Sequence, residues 1–278
     1  MADHAYPPPQ AVAESLLAFW AEAGIDSMYL DEAVDRIAAG AVPIPRPAQA
    51  ARPATAPSRP ASVPDARAPA PPEALAQARA LAAAAKTLEE LAAAIEAFEG
   101  CPLKFEGAAT KAVFSRGAPS APVMVVGEGP GAEEDARGQP FVGRAGRLLD
   151  KMVAAAGLQE RVFITNTVFW RPPGNRTPTP AEQAVCAPFV ERAIELVQPR
   201  LLLLLGGASA KSMLQKDEGI LALRGRWFEW RSADGGLELP AMPTLHPAFL
   251  LRQPAAKKKA WSDLVSLVQR LDRPDRPH

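Results

Sequence analysis

Four short apolar runs alternate with helical patterns through the second half of the chain, and this alternation constrains the fold more than any other feature. The runs are Pro122 to Val126, Val162 to Phe169, Leu201 to Leu205, and Leu239 to Leu245. Helical patterns follow them at Arg144 to Ala156, Pro180 to Val197, Ser209 to Leu214, and Ala255 to Leu271. Such alternation predicts an α/β fold with three layers, in which helices cover both faces of a mainly parallel four-stranded sheet.

The N-terminal part of the chain has a different character. Ten prolines lie between Val42 and Pro72, which predicts a flexible linker over residues 41–73. Residues 1–40 are expected to form a short amphipathic helical segment that docks on the body of the protein or on a protein partner. From Pro72 the alanine-rich sequence predicts a helix, broken near Lys86 and Thr87, at the start of a domain over residues 74–278.

Composition excludes several classes of protein. The 31 basic and 31 acidic residues cancel, so any nucleic-acid surface has to be local. Two cysteines, Cys101 and Cys186, are too few for a disulfide framework or a closed four-thiolate metal site, and they suit a reducing compartment. The first residues do not resemble a signal peptide, and no apolar run approaches membrane-spanning length. A monomeric cytoplasmic protein is expected.

A glycine-rich turn follows the first apolar run and carries acidic residues. Its pattern, Gly127-x-Gly129-x-x-Ala132, fits a permissive dinucleotide-binding fingerprint, and Asp150 lies at about the right distance. However, Pro130 removes an amide donor, and a pyrophosphate would meet the carboxylates of Glu128, Glu133, Glu134 and Asp135. The turn therefore favours a neutral, flat ligand over a nucleotide.

Candidate functional residues lie towards the carboxyl ends of the predicted strands. These residues are Glu128, Asn166, Gly206 and His246. Because parallel strands end at one edge of a sheet, we expect these four residues to surround one crevice.

Four motifs follow one another in order along the second half of the chain. They read "GEGPGAEEDARGQPFVGRAGRLLD", "NTVFWRPPGNRTPTPAE", "LLLLLGGASAKSML" and "LHPAFLLR". Together they resemble family 4 uracil-DNA glycosylases, and the similarity covers about Cys101 to Leu271. The resemblance implies a base excision repair enzyme that flips uracil out of DNA and hydrolyses its N-glycosidic bond, leaving an abasic site.

The resemblance also assigns roles to individual residues. Glu128 is expected to stabilise the positive charge of the sugar, Asn175 to hold the attacking water, and His246 to donate to a uracil oxygen. Gly127 and Gly129 are expected to bring backbone amides close to the base. Gly129 replaces the family's usual alanine, which predicts a looser pocket.

Three further residues are expected to bind uracil. Phe141 matches the aromatic residue that stacks on the flipped base, and Asn166 matches the amide that reads its edge. Glu134 is a candidate for excluding the C5 methyl group of thymine, although a solvated carboxylate at a helix start is an equal alternative.

Contacts with DNA are expected from two segments. Leu250, Leu251 and Arg252 resemble a loop that wedges into the duplex. Ser209 and Lys211 open a helix and are candidates for phosphate binding. Lys257 to Lys259 either join these contacts or form a solvated helix face. Ala248 replaces the family's usual serine, so one hydroxyl contact is expected to be lost.

The sequence departs from the family at its iron-sulfur ligands. Family 4 members typically hold a four-iron, four-sulfur cluster on four cysteines, and the corresponding positions here are Phe98, Cys101, Trp170 and Cys186. Because phenylalanine and tryptophan cannot bind iron, no cluster and no other metal is expected. Phe98 and Trp170 are expected to form a small apolar core beside two reduced cysteines.

Two alternatives remain at this stage. One is a DNA-binding or damage-sensing module that kept the fold but lost most of its catalysis. The other is a glycosylase with a broader range of deaminated bases, because the sequence does not define the volume of the pocket.

Overall fold

The computed structural model describes residues 70–272, so the predicted N-terminal segment and most of the predicted linker lie outside the described residues. Two helices come first, α1 (Pro72–Ala84) and α2 (Leu88–Ala97). They are separated where the break was predicted, because the Thr87 hydroxyl accepts a hydrogen bond from the Glu90 amide (3.2 Å) and starts a new helix.

A six-stranded sheet occupies the centre of this domain, in the order β1-β3-β2-β4-β6-β5. The strands are β1 (Arg116–Gly117), β2 (Val123–Gly127), β3 (Val162–Asn166), β4 (Leu201–Leu205), β5 (Phe228–Arg231) and β6 (Glu238–Thr244). The four predicted strands form the parallel centre, which confirms the fold class. The predicted number of strands was too small, because two short antiparallel strands, β1 and β5, add to the edges.

Alternate side chains of the central strands enter two different apolar cores, which gives this domain three layers. Met124 and Leu204 face one core with α1, α2 and the helix Pro180–Val197, whereas Val125 and Leu203 face the other. The other described α-helices are α3 (Ala132–Arg137), α4 (Arg144–Ala155), α5 (Pro180–Val197), α6 (Gly206–Leu214), α7 (Ile220–Leu223), α8 (Pro247–Arg252) and α9 (Lys257–Asp272), and three short 3-10 helices lie at Pro102–Lys104, Pro173–Asn175 and Pro254–Ala256. Burial on both faces of the sheet explains the continuous apolar runs of the central strands.

Within residues 70–272, no helix has the length and apolar character to span a membrane.

The register of the sheet brings the predicted site residues to one edge. Gly127 at the end of β2 pairs with Asn166 at the end of β3, and Leu205 at the end of β4 pairs with Thr244 at the end of β6. The strand ends that carry Glu128, Asn166, Gly206 and His246 therefore lie at one edge of the sheet, and of these four residues Glu128 and His246 line a cleft there.

Candidate active site

A cleft of about 530 Å³ lies at this edge of the sheet. It is formed by the glycine loop after β2, the loop that carries Phe141, the segment after β3, and the start of α8. Seven of the predicted site residues line it, namely Glu128, Gly129, Glu134, Phe141, Asn175, His246 and Arg252.

Asn166 lies at the end of β3 and is only 1% exposed. Neither its amide oxygen nor its amide nitrogen has a hydrogen-bond partner among the described residues. Such a buried, unpaired amide costs about 1–3 kcal/mol, so the group is suited to pair with a ligand. Gly127 makes the close packing possible, because a Cβ atom there would lie 2.4 Å from the Asn166 Oδ1 atom and 2.5 Å from the Phe141 ring.

Phe141 is held in an unusual backbone conformation beside Asn166. Its φ angle is 56°, in the left-handed region, which costs a bulky residue about 1–3 kcal/mol. Its buried ring lies 5.6 Å from the His246 ring, centre to centre. Gly146 of α4 packs directly on this residue, since a Cβ atom there would be 1.7 Å from the Phe141 carbonyl oxygen.

The Glu134 carboxylate connects the two loops that form one side of the cleft. Its Oε1 atom accepts hydrogen bonds from the amides of Val142 (2.9 Å) and Gly143 (2.8 Å). Its Oε2 atom accepts one from the amide of Gly131 (3.2 Å). The alternative of a carboxylate at a helix start is met in position, because Glu134 is the N3 residue of the capping box that begins α3. Three amides bind the group in addition, and its role against a C5 methyl group stays a prediction.

His246 is neutral at pH 7 and its tautomer is defined. Its Nδ1 atom accepts a hydrogen bond from the Ala248 amide (3.1 Å), so the proton resides on Nε2. Burial is the main cause that lowers the pKa of His246, to about 4, and the positive charge of Arg252 acts in the same direction, whereas Glu134 opposes it. The site thus presents a neutral imidazole that can donate a hydrogen bond.

Two other predicted catalytic residues line the cleft. The Glu128 side chain makes no hydrogen bond or ion pair within residues 70–272, while its backbone oxygen accepts a hydrogen bond from the Thr167 hydroxyl (2.7 Å) that ties the loop to β3. The Asn175 Oδ1 atom accepts a hydrogen bond from Arg171 Nε (2.8 Å), which leaves the NH2 group of Asn175 for other partners.

Two of the predicted DNA contacts are wrong. The Ser209 hydroxyl is fully buried and donates to the carbonyl oxygen of Val126 (2.7 Å), so it cannot reach a phosphate. Leu250 is also fully buried and packs beside Leu245 and Ala260. Leu251, Arg252 and Lys211 are exposed, as are Lys257 to Lys259, and their contacts with DNA stay predictions.

The error at Leu250 has a geometric cause. The segment after His246 was interpreted as a wedge-shaped loop, but it forms the helix α8, on which neighbouring residues point in different directions. Phe249 and Arg252 are three residues apart and both line the cleft, while Leu250 turns into the core.

Arg176 also lines the cleft, and like Phe249 it was not among the residues predicted from the sequence. It forms ion pairs with Glu182 (2.6 Å) and Glu106 (3.1 Å), which hold the segment after β3 against the body of the protein. The hydrogen bond from Arg176 opposes burial and lowers the pKa of Glu182. The sequence signal was present, because Thr179 and Glu182 form a capping box that begins α5 beside Arg176.

The four positions that correspond to cluster ligands meet in the core, away from the cleft. Phe98, Cys101, Trp170 and Cys186 are each at most 1% exposed. The two sulfur atoms are 4.0 Å apart, and the Phe98 ring lies 6.4 Å from the Trp170 ring and 5.2 Å from the Phe189 ring. Burial raises the pKa of the Cys186 thiol well above its usual value.

This packing does not fit a four-iron, four-sulfur cluster, because aromatic rings stand where two of the thiolates would be needed. No set of three or more histidine, cysteine, aspartate or glutamate side chains is arranged to bind a metal in the part of the chain that the structure describes.

Comparison with known proteins agrees with this arrangement. Residues 114–265, more than half of the chain, match the model of the uracil DNA glycosylase superfamily. A type-4 uracil-DNA glycosylase of Thermotoga maritima is 42% identical over 154 residues, which are 55% of this chain and 77% of that protein. The corresponding enzyme of Sulfurisphaera tokodaii is 38% identical over 57% of this chain and 74% of its own length. That of Pyrobaculum aerophilum is 40% identical over 51% of this chain and 74% of its own length. These three relatives are all type-4 enzymes, and the chain therefore belongs to the uracil DNA glycosylase superfamily.

Proposed function

We propose that this protein removes uracil from DNA by hydrolysing the N-glycosidic bond. The observation that carries the proposal is the Asn166 amide, which is buried without a partner at the strand end beside the cleft. An amide offers a donor and an acceptor side by side, which matches the O4 and N3–H edge of uracil and is mismatched with cytosine. The relatives named as uracil-DNA glycosylases support this assignment.

The proposed mechanism separates charge across the cleft. As the glycosidic bond breaks, its electron pair leaves with the base, and positive charge develops on the sugar. Glu128 stabilises this positive charge and accepts a proton from the water that adds to the sugar carbon. His246 donates a hydrogen bond from Nε2 to the uracil oxygen that becomes negative. Its low pKa keeps the imidazole neutral, so it acts as a hydrogen-bond donor and not as an acid.

Base recognition involves three other residues in this proposal. Phe141 stacks on the flipped base, and Glu134 limits the space beside the C5 atom. Asn175 holds the attacking water through its NH2 group, since its oxygen is bound by Arg171. Arg252, Leu251 and Lys211 contact the DNA strand from outside the cleft.

The proposed enzyme works without an iron-sulfur cluster. Support comes from the aromatic packing around Cys101 and Cys186, where residues 70–272 provide two thiols but no set of three or more side chains arranged to bind a metal. Iron and sulfide analysis of purified protein, with a cluster-containing relative as a positive control, is expected to give no stoichiometric iron. A partner for the N-terminal segment, a monomeric state and a cytoplasmic location stay predictions.

Release of uracil from a labelled single-stranded oligonucleotide tests the activity. The wild type is expected to produce abasic sites, while Glu128→Gln and His246→Ala lose about 100-fold or more in rate. Glu133→Gln is the matched control for Glu128→Gln, because Glu133 is a neighbouring acid that pairs with Arg147. Failure of the wild type to release base, even with protein in excess over DNA, would contradict the proposal; DNA binding without release would favour the binding module instead.

A further inference from the structure

We propose that Arg116 is a positioning residue for Phe141 and thereby for binding of the flipped base. The inference rests on the proposed function. Arg116 lies in β1 at the edge of the sheet and does not line the cleft. Its effect on the site therefore has to pass through the loop that carries Phe141.

The Arg116 side chain binds two successive carbonyl groups of that loop. Its Nε atom donates to the carbonyl oxygen of Pro140 (2.8 Å), and its Nη2 atom donates to that of Phe141 (3.1 Å). The same Nη2 atom lies 2.6 Å from the Asp150 carboxylate of α4, which orients the guanidinium group.

Arg116 and Glu134 hold the same short segment through opposite groups. Arg116 binds the carbonyls of Pro140 and Phe141, whereas Glu134 binds the amides of Val142 and Gly143. The peptide groups on both sides of Phe141 are thus fixed in orientation, and this maintains the left-handed conformation with φ 56°. Such a conformation persists only where the surroundings determine it strongly.

Loss of Arg116 would remove the donors for two carbonyl groups and allow Phe141 to relax towards negative φ. The ring would then leave its position beside Gly127 and Asn166, where the base is expected to stack. Lysine cannot replace arginine here, because a single ammonium group lacks the fork that spans successive carbonyls.

Steady-state kinetics of uracil release from the single-stranded oligonucleotide test this role. Stacking on Phe141 stabilises the bound substrate and the transition state to a similar extent, so its loss weakens binding and leaves the chemical step almost unchanged. Arg116→Met is therefore expected to raise KM about tenfold while kcat changes about twofold or less. Arg161→Met is the matched control, since it breaks an exposed ion pair with Asp272 (3.1 Å) away from the loop. It is expected to leave both constants unchanged.

A double-mutant cycle with Phe141→Ala separates positioning from general destabilisation. If Arg116 acts through the ring, Arg116→Met has no further effect on KM when Phe141 is already alanine. Equal KM values for Arg116→Met and the wild type, or a full additional effect in the Phe141→Ala background, would overturn the inference. Should Arg116→Met fail to fold, Arg116→Lys retains the charge beside Asp150 and is expected to show the same rise in KM; a wild-type KM would count against the inference. An inactive wild type would instead contradict the proposed function.

Discussion

At the scale of single residues, burial determines the charge of His246 and couples it to stability. The pKa of His246 is lowered to about 4 in the folded protein, against an ordinary value of 6.5. Between these two values the unfolded chain binds a proton that the folded chain does not bind, so stability falls as the pH falls from about 6.5 towards 4.

Replacement of His246 by glutamine is expected to remove this part of the pH dependence. Between pH 7 and pH 5, the wild type should lose about 2 kcal/mol more in free energy of unfolding than His246→Gln does. Urea unfolding of both proteins at the two pH values measures the difference. If the free energy of unfolding changed with pH by the same amount in the two proteins, His246 would have an ordinary pKa in the folded protein.

The space beside Gly129 is filled by a neighbouring side chain, whereas the expectation of a looser pocket stays a prediction. A Cβ atom at this position would lie 2.9 Å from the Cγ2 atom of Val168, so the valine takes the room that an alanine methyl group would need. Gly129→Ala is therefore expected to destabilise the protein by about 1 kcal/mol.

Val168→Ala is expected to relieve that clash, although it leaves a cavity of its own. The double variant should lose about 1 kcal/mol less in free energy of unfolding than the sum of the losses of the two single variants. Urea unfolding of the wild type and the three variants measures these losses. Strict additivity would mean that the loop moves away from Val168 without cost.

At the scale of secondary-structure elements, one buried ion pair joins α7, α9 and β6. Asp263 of α9 is 2% exposed, pairs with Arg224 after α7, and accepts a hydrogen bond from the Thr244 hydroxyl of β6 (2.7 Å). Arg224 also donates to the Lys259 carbonyl (2.7 Å). Burial raises the pKa of Asp263 in spite of these partners, so the carboxylate depends on them to stay charged.

Arg224→Met is expected to lower the free energy of unfolding by about 3 kcal/mol at pH 7, because it leaves a buried carboxylate without its partner. The loss should be smaller at pH 5, where Asp263 can take up a proton. Arg231→Met is the control, since Arg231 is exposed and its ion pairs with Glu229 and Glu238 contribute little. Equal losses in the two variants would show that the buried pair contributes no more than a surface pair.

At the scale of the whole molecule, an aromatic core surrounds Cys101 and Cys186. Trp170 packs on Phe169 with ring centres 6.2 Å apart and lies in the same apolar core as Met124 and Leu204 of the sheet. The connection between α2, the segment after β3 and α5 therefore depends on side-chain packing.

Trp170→Ala is expected to destabilise the protein by about 3–5 kcal/mol, because it opens a large cavity in this core. Trp261→Ala is the matched control, since Trp261 of α9 is 44% exposed. This variant should lose far less free energy of unfolding. Thermal and urea unfolding compare the two. A small loss for Trp170→Ala would mean that the core collapses around the missing ring and that its packing is not essential.

Apolar periodicity was sufficient to predict the parallel centre of the sheet and most of the helices. Runs such as Leu201–Leu205 are buried on both faces, so their composition alone distinguishes them from loops. The edge strands were missed because β1 has only two residues, and because β5 alternates between buried and exposed positions.

The placement of Glu128, Asn166 and His246 at one edge of the sheet could be predicted from the sequence, because they lie at or just after the ends of parallel strands. The exposure of each side chain was decided only by the tertiary structure. Ser209 and Leu250 carry suitable groups for DNA but point into the core, while Arg116 precedes Phe141 by 25 residues and reaches its loop from the edge of the sheet. Residue type and spacing determine which elements form, since both are local properties. Which atoms meet depends on how those elements pack, and contacts between residues far apart in the chain exist only after packing.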